Sequence, residues 1–229
     1  MAEQQTFRMR ITFAKQGRLA LLSHLEVARA IERAVRRAQL PFAVSQGFSP
    51  HMKIAFGAAL PVGVGGTHEM VDLQLLRYVR PEEALLALQK ESVPDLMVKE
   101  CVYIEPKAPA ASAAFPLSTY RALLSAAPAQ LPVPAQVHII RKKKEKVLDV
   151  ADFLVGEMLL EGASLTFTLE QKPTGSLRPD KLLAACLDQV QEVPLAFLVD
   201  NAWTQSIEPP ADDQPLRVLS MMRIDQRTK

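Results

Sequence analysis

Two histidines and several neighbouring hydroxyl and basic residues near the amino terminus have the side-chain types that bind phosphate or transfer protons. His24 follows Ser23 at the start of an expected helix, and His51 ends a turn that begins at Gly47. If the fold brings the two histidines together, they could bind phosphate, or act as acid and base on an RNA 2′-hydroxyl. The remaining members of this expected cluster are Arg18, Ser45 and Lys53. The alternative is that both histidines have structural roles, with His24 packed at the start of its helix.

A basic loop, Lys15-Gln16-Gly17-Arg18, lies just ahead of the expected helix. Free backbone N–H groups and the helix dipole favour an anion such as phosphate at a helix start, and two cations and a glycine suit that task. The G-x-x-x-x-G-K-[ST] pattern of a P-loop is absent, so nucleotide hydrolysis is not indicated. The loop is therefore a candidate anion site, or else an ordinary basic loop.

Four arginines form one stripe on the same expected helix, at Arg29, Arg33, Arg36 and Arg37. Their i, i+4, i+7 and i+8 spacing places them opposite the apolar side of the helix. Glu26 and Glu32 are close enough in sequence to pair with some of them, which leaves two positive charges. These charges could follow a phosphate backbone, and a solvated helix face is the alternative.

The elements that must position these residues can be predicted from local patterns. Residues Phe7 to Phe13 alternate between apolar and polar, which predicts a half-buried strand with Arg8 and Arg10 on its solvent face. Ser23 and Glu26 form the S-x-x-E pattern of a capping box, at the start of a helix that ends before Pro41. The other predicted elements are strands at Lys53 to Phe56 and Glu69 to Tyr78, a helix at Pro81 to Lys90, and a strand at Leu96 to Ile104. This β-α-β-β-α-β order is typical of a ferredoxin-like unit, an antiparallel sheet with helices on one face.

The second half of the chain contains a similar but less complete set of elements. Residues 106–116 are rich in Pro and Ala and have no period, which predicts a linker. The elements predicted after it are a strand at Thr119 to Leu124, a hairpin of Val137 to Lys142 and Lys146 to Phe153, a strand at Ser164 to Glu170, a helix at Pro179 to Val190, and an added edge strand at Leu216 to Ile224. A helix at Ala126 to Pro134 is poorly supported, because this short segment carries three prolines. We predict an α+β chain of tandem ferredoxin-like units, residues 1–105 and 117–229, the second degenerate and with a C-terminal extension.

Composition and charge limit the classes of function. The chain has 229 residues, 48% of them apolar, which is enough for one large core or two small ones. Cys101 and Cys186 are far apart and isolated, so neither a disulfide framework nor a Cys-based metal or iron–sulfur site is indicated, and the four histidines lack zinc-site spacing. Neither a signal peptide nor a membrane helix is expected, so we predict a cytoplasmic protein. Residues 1–57 hold nine Lys/Arg against three Asp/Glu, which points weakly to an anionic partner, with nucleic acid favoured over a membrane.

Three motifs together resemble the radical-SAM-linked proteins, a bacterial family of uncharacterised function. They are F-x-K-x-G-R-L-x-x-L-S-H at Phe13 to His24, E-R-A-x-R-R-A-x-L-P at Glu32 to Pro41, and S-Q-G-F-S-P-H-x-K-I-x-F followed by A-L-P-V-G at Ser45 to Gly63. Members of that family occur alone or fused to radical S-adenosylmethionine proteins, often ones with a cobalamin-binding-like region. The resemblance implies a radical SAM partner for this chain.

The same resemblance bears on cofactors and on the substrate. This chain lacks the C-x-x-x-C-x-x-C triplet of a radical SAM enzyme, so we expect S-adenosylmethionine and the iron–sulfur cluster only in the partner. Family members are often encoded near an RNase E/G-type ribonuclease and ribosomal protein genes, which favours an RNA or ribosome-linked substrate.

Our leading hypothesis is a non-catalytic module that binds RNA or another anionic substrate and acts with a radical SAM enzyme. Two alternatives remain open. One is a metal-independent endoribonuclease that uses His24 and His51, by fold-level analogy with CRISPR repeat-processing ribonucleases. The other is a scaffold that contacts only protein, through apolar residues near Phe48 and Met52. The expected anion-binding residues are Lys15, Arg18, Ser23, His24, Arg29, Arg33, Arg36, Arg37, His51 and Lys53.

Overall fold

The structure, a computed structural model, describes residues 6–141, 144–190 and 215–229. The chain divides into two compact units, Met1–Phe115 (unit 1) and Pro116–Lys229 (unit 2). Both units contain strands and helices, which confirms the α+β class. Among the described residues, no helix combines the length and the apolar character needed to cross a membrane.

Unit 1 has the β-α-β-β-α-β order predicted for the first hundred residues. Its elements are β1 (Phe7–Lys15), a 3-10 helix (Gly17–Leu21), α1 (His24–Arg37), β2 (Ile54–Phe56), β3 (Val64–Leu75), α2 (Pro81–Glu91), a second 3-10 helix (Pro94–Leu96), β4 (Val98–Ile104) and α3 (Ala111–Ala114). The strands lie in the order β4-β1-β3-β2, and each neighbouring pair is antiparallel. The predicted third strand, Glu69 to Tyr78, begins five residues too late and ends three too late relative to β3.

The core of unit 1 lies between one face of its sheet and helices α1 and α2. Met9, Ile11 and Phe13 alternate inward along β1, as the pattern predicted. They belong to one apolar cluster with Ile31 of α1 and Leu88 of α2, so both helices pack on that face. The predicted capping box is confirmed, because Ser23 Oγ accepts a hydrogen bond from the backbone of Glu26 and the Glu26 carboxylate accepts one from the backbone of Ser23.

The opposite face of the unit 1 sheet carries a buried charge cluster. The guanidinium of Arg10 donates two hydrogen bonds to the Asp72 carboxylate, at 2.7 and 3.0 Å, and Arg8 donates a third at 2.7 Å. Arg10 also donates to the carbonyl of Pro109 at 3.1 Å, and Arg8 to that of Ala108. Arg10 is therefore only 9% exposed, unlike the solvent-facing residue we predicted. The predicted linker segment supplies these carbonyl groups and also contains the short helix α3. Since buried polar groups need hydrogen-bond partners, the carbonyls satisfy donors of the two arginines on the covered sheet face.

Unit 2 is described by the elements β5 (Leu117–Leu124), β6 (Gln136–Arg141), β7 (Lys144–Asp149), a 3-10 helix (Val150–Asp152), β8 (Leu154–Glu161), β9 (Ser164–Glu170), α4 (Pro179–Asp188) and β10 (Val218–Arg227). Strands β10, β5, β9 and β8 are neighbours in that order, and β6 and β7 form a separate hairpin. The predicted hairpin, β9, α4 and the final strand are thus present near their predicted positions. Strand β8 was not predicted, and residues 125–135 contain no helix. The start of the predicted C-terminal extension lies outside the described residues.

Candidate anion-binding surface

Helix α1 carries its arginines on the side that faces away from the core. Val27, Ile31 and Val35 are buried, whereas Arg29, Arg33, Arg36 and Arg37 are all exposed. Arg29, Arg33 and Arg37 recur every four residues, which separates successive positions by about 6 Å along the helix axis. The amphipathic pattern therefore places the predicted stripe on the surface.

The arginines of the stripe differ in whether their charge is neutralised. Arg36 forms an ion pair with Glu32, with 3.6 Å between Nη1 and Oε2, and its guanidinium lies 5.6 Å from the centre of the Phe42 ring. Arg29, Arg33 and Arg37 form no ion pair with any described residue. The pKa of the Glu26 carboxyl is lowered, first by the Ser23 side chain and backbone and less by the charge of Arg29. Among the described residues three arginines of the stripe thus lack an ion pair, one more than the two charges predicted, because Glu26 caps α1 and pairs with none of them.

Arg33 and Arg37 flank a groove between α1 and the end of α2. The groove has a volume of about 200 Å³. Its wall on the other side comes from Glu91, Ser92 and Val93, where α2 ends and the chain turns toward β4. The apolar side chains that line it are Leu19, Leu22, Ala30, Ile31, Ala34, Val93 and Leu96. The groove thus combines two guanidinium groups that form no ion pair among the described residues, one carboxylate at Glu91 and an apolar lining, which is suited to an anion that carries a flat or apolar group.

The loop Lys15-Gln16-Gly17-Arg18 differs from the predicted anion site. Lys15 is 3% exposed, and its ammonium group donates a hydrogen bond to the carbonyl of Val64 at 3.3 Å. Gly17 has a φ of +54°, and a β carbon on it would lie 2.2 Å from an Asp95 carboxylate oxygen. A 3-10 helix of five residues, Gly17–Leu21, begins inside this loop, and α1 begins only at His24. Only Arg18 of this loop is exposed, because the protein's own carboxylate and backbone take up the space around the other residues.

His24 lies at the mouth of a small cavity at the start of α1. Its imidazole is exposed and meets the ring of Phe56 edge-on, with 5.3 Å between ring centres. The cavity of about 20 Å³ is also lined by Lys15 and Glu69, which are both buried, and has room for about one water molecule. A β carbon on Gly66 would lie 2.1 Å from Glu69 Oε1, so the glycine makes room for this carboxylate.

His51 is held within its own turn by hydrogen bonds. Its Nδ1 lies 3.0 Å from Ser45 Oγ and 3.3 Å from the carbonyl oxygen of Ser49, and its backbone N–H donates to Ser45 Oγ at 3.1 Å. Phe56, which contacts His24, lies five positions further along an extended segment, so about 16 Å of strand separates the two sites. The described contacts therefore join each histidine to different neighbours, and they give no support to the two-histidine cluster on which the acid–base alternative depends. Ser23 is likewise engaged in the helix cap.

Lys53 is exposed and lies just before β2, where its backbone N–H donates to the carbonyl of Ala43 at 2.8 Å. It belongs to a long stretch without acidic residues: residues 33–68 contain Arg33, Arg36, Arg37 and Lys53 but no Asp or Glu. Met52, which the scaffold alternative places on a surface for protein contact near Phe48, is 2% exposed and belongs to the core. Phe48 is fully exposed.

Sequence reasoning missed the groove residues Val93 and Leu96 and the carboxylates of Glu69 and Asp95. Val93, Leu96 and Asp95 are far from the first loop and α1 in sequence, and they come near through the packing of the 3-10 helix Pro94–Leu96 against that loop. Glu69 comes from β3 and lines the small cavity beside His24. In the part of the chain that the structure describes, no group of three His, Cys, Asp or Glu side chains could hold a metal ion.

Comparison with known families gives a match over residues 8–179, to the family described as "Uncharacterized protein conserved in bacteria (DUF2344)". The chain belongs to DUF2344. The matched range contains α1, the groove and the Ser45–His51 turn, so the surface of this DUF2344 chain lies within the family's shared region. No curated protein matches the chain.

Proposed function

We propose that this chain is a non-catalytic binding module for RNA, or for another anionic substrate, and that it acts with a radical SAM enzyme. The observation that carries the binding part is the pair Arg33 and Arg37, exposed at the rim of the 200 Å³ groove and without an ion pair among the described residues. The motif resemblance at Phe13 to His24, Glu32 to Pro41 and Ser45 to Gly63 supports the radical SAM partner. That partner would supply S-adenosylmethionine and the iron–sulfur cluster.

The anion-binding residues of this proposal are those that the fold leaves on the surface. Arg29, Arg33 and Arg37 supply charge along α1, and Arg36 and Lys53 extend it toward β2. Lys15 and Ser23 are removed from the binding set, because the first is buried and the second caps α1. His24 and Arg18 lie near the opposite end of α1 from Arg36 and Arg37 and are not required.

The binding test is the affinity of the purified full chain for a fluorescein-labelled single-stranded RNA of about 12 nucleotides, measured by anisotropy across a salt series. Each lost phosphate contact should lower the slope of log affinity against log salt by about 0.7. We therefore expect R33A/R37A to weaken binding and to reduce the slope by about 1.4. The matched control is R80A, an exposed arginine that Glu83 already neutralises. Salt-independent binding, or equal effects of R80A and R33A/R37A, would overturn the proposal.

The partner is tested separately by native affinity purification with identification of the proteins and nucleic acids that co-purify. Recovery of a radical SAM protein supports the proposal. Recovery of RNA without any radical SAM protein retains the binding function and removes the partnership.

We also propose that unit 1 is a ferredoxin-like unit and that unit 2 is a degenerate copy of it. The order β4-β1-β3-β2, with α1 and α2 on one face, supports the assignment of unit 1. Unit 2 lacks a helix between β5 and β6, so its likeness rests on β5, β9 and α4. Comparison of an experimental structure of the chain with known ferredoxin-like domains tests both assignments.

A further inference from the structure

A short ribbon at the edge of unit 1 ends in a fully exposed aromatic ring. The ribbon consists of Phe42–Val44 and Met52–Ile54, joined by the turn Ser45–His51. Val44 pairs with Met52, the N–H of Lys53 donates to Ala43 at 2.8 Å, and the N–H of Ala43 donates to Gln74 of β3 at 2.8 Å. The ribbon is therefore anchored to the sheet, and only its turn projects.

The turn is ordered by its own polar contacts, with Phe48 outside them. Ser45 donates its backbone N–H to the carbonyl of His51 at 2.8 Å, and its hydroxyl accepts the backbone N–H of His51 at 3.1 Å. Within this frame Phe48 has a relative exposure of 112%, the largest among the exposed apolar side chains that the structure describes. Its ring therefore contributes nothing to the core and is exposed to solvent, while the hydrogen bonds between Ser45 and His51 fix the backbone of the turn.

Two residues of basic type, His51 and Lys53, follow Phe48 along the ribbon. His51 and Lys53 are exposed and two positions apart in an extended segment, so their side chains leave the ribbon on the same face. The guanidinium of Arg36 lies over the ring of Phe42, at the base of the ribbon, and is paired with Glu32. Lys53 forms no ion pair with any described residue, so it supplies the uncompensated charge of the ribbon.

We propose that Phe48 stacks on an unpaired base of a single-stranded nucleic acid, and that Lys53 and His51 contact the adjacent phosphate. This inference rests on the proposed RNA-binding function and names the part of the ligand that the ribbon takes. A nucleic-acid strand presents a flat apolar face beside a negative charge, and the turn presents an exposed ring beside positive charge. A protein partner with a purely apolar surface would leave the Lys53 ammonium group without a counter-charge, so charge complementarity favours the nucleic acid.

The experiment uses the full-length protein and the same labelled 12-nucleotide RNA, with substitutions at Phe48. Base stacking on an aromatic side chain predicts that F48A weakens binding by about 5- to 150-fold. F48W should bind within about twofold of the parent, because tryptophan keeps a ring on which a base can stack. F48L should resemble F48A, because leucine is apolar but has no aromatic face. The matched control is L25A, which removes another exposed apolar side chain, 67% exposed, at the far end of α1.

Equal affinities of F48L and the parent protein would overturn the stacking role, as would full affinity in F48A. Because Phe48 is outside the core, all these variants should keep the parent's thermal midpoint, which excludes a folding defect as the cause of weaker binding.

The result also separates this inference from the function on which it rests. F48A removes no charge, so its salt slope should equal that of the parent, whereas K53A should lower the slope by about 0.7. If binding remains salt-dependent and sensitive to R33A/R37A but not to F48A, only the stacking inference fails. If the parent protein binds no RNA, both fail.

Discussion

The carboxylate of Asp95 lies against the α carbon of Gly17, so closely that a β carbon at residue 17 would be 2.2 Å from Oδ2 and 2.7 Å from Oδ1. The backbone of the same pair is joined, since the N–H of Gln16 donates to the carbonyl of Asp95 at 2.9 Å. The sequence predicts a phosphate site at this loop, but the carboxylate of Asp95 occupies the space beside Gly17. The uncompensated positive charge lies further along the chain, on α1 and beside β2.

Substitution of Gly17 tests this contact. G17A should destabilise the protein by about 1–2 kcal/mol because of its positive φ alone, and by more because of the clash with Asp95. D95A should relieve only the clash, so the double variant G17A/D95A should be more stable than the sum of the two single effects implies. Urea unfolding of the four proteins measures the coupling. Strictly additive effects would mean that the two residues do not touch.

Asp72 should be the most sensitive acidic residue in unit 1. Its side chain is 2% exposed and accepts hydrogen bonds from both Arg8 and Arg10, so D72N leaves two largely buried guanidinium groups without a counter-charge. We expect a loss of about 3–5 kcal/mol in the free energy of unfolding. The control is E83Q, which breaks the fully exposed pair with Arg80 and should leave the urea midpoint unchanged. A small effect of D72N would show that the arginines find other acceptors.

The helix cap at Ser23 predicts a dependence on pH. S23A should cost about 1 kcal/mol near neutral pH, since the hydroxyl caps α1. The pKa of Glu26 is lowered from its ordinary value of 4.5, chiefly by the hydrogen bonds with Ser23. The stability that the ionised Glu26 carboxylate gains from these hydrogen bonds is therefore present above pH 4.5 and is lost as pH falls through the lower folded-state pKa. The difference in stability between S23A and the parent protein should therefore shrink on acidification. Thermal midpoints of both proteins between neutral and acidic pH measure it, and a constant or growing difference would contradict the capping geometry.

The two thiols should be inert in the native protein. Burial raises the pKa of Cys101 to about 12 and that of Cys186 to about 12, so neither forms appreciable thiolate at pH 8. A colorimetric thiol reagent should label neither group in the folded chain and both after unfolding in denaturant. Rapid labelling of one cysteine without denaturant would show that its site opens locally.

The predictable parts of this chain are those that depend on near neighbours in sequence. The Ser23–Glu26 cap and the inward alternation of Met9, Ile11 and Phe13 are local patterns, and the structure contains both. A register shift between Phe13 and Lys15 buries three successive residues, so strict alternation did not reveal how Lys15 is enclosed. Strand β8 escaped prediction for a similar reason, because its pairing with β9 is interrupted between Val155 and Leu159.

The candidate site was harder to predict, because it depends on where α1 begins and ends relative to β2. A helix that connects two strands returns the chain to the end of the sheet from which it started. The residues just before β2 therefore lie near the end of α1, and only the last residue of β2, Phe56, meets His24. The stripe of arginines was predicted from helical spacing alone, whereas the groove beside Arg33 and Arg37 needs the packing of residues 91–96.

The acceptors of Arg8 and Arg10 have a consequence for the timing of synthesis. A chain that has left the ribosome only as far as Ile104 contains the strands β1 to β4, yet it lacks the carbonyls of Ala108 and Pro109. It also lacks the Phe115 ring, whose centre lies 5.2 Å from the Arg10 guanidinium carbon. Strand β1 is synthesised first, yet its arginines Arg8 and Arg10 gain all of these partners only after the ribosome has translated the residues that follow β4.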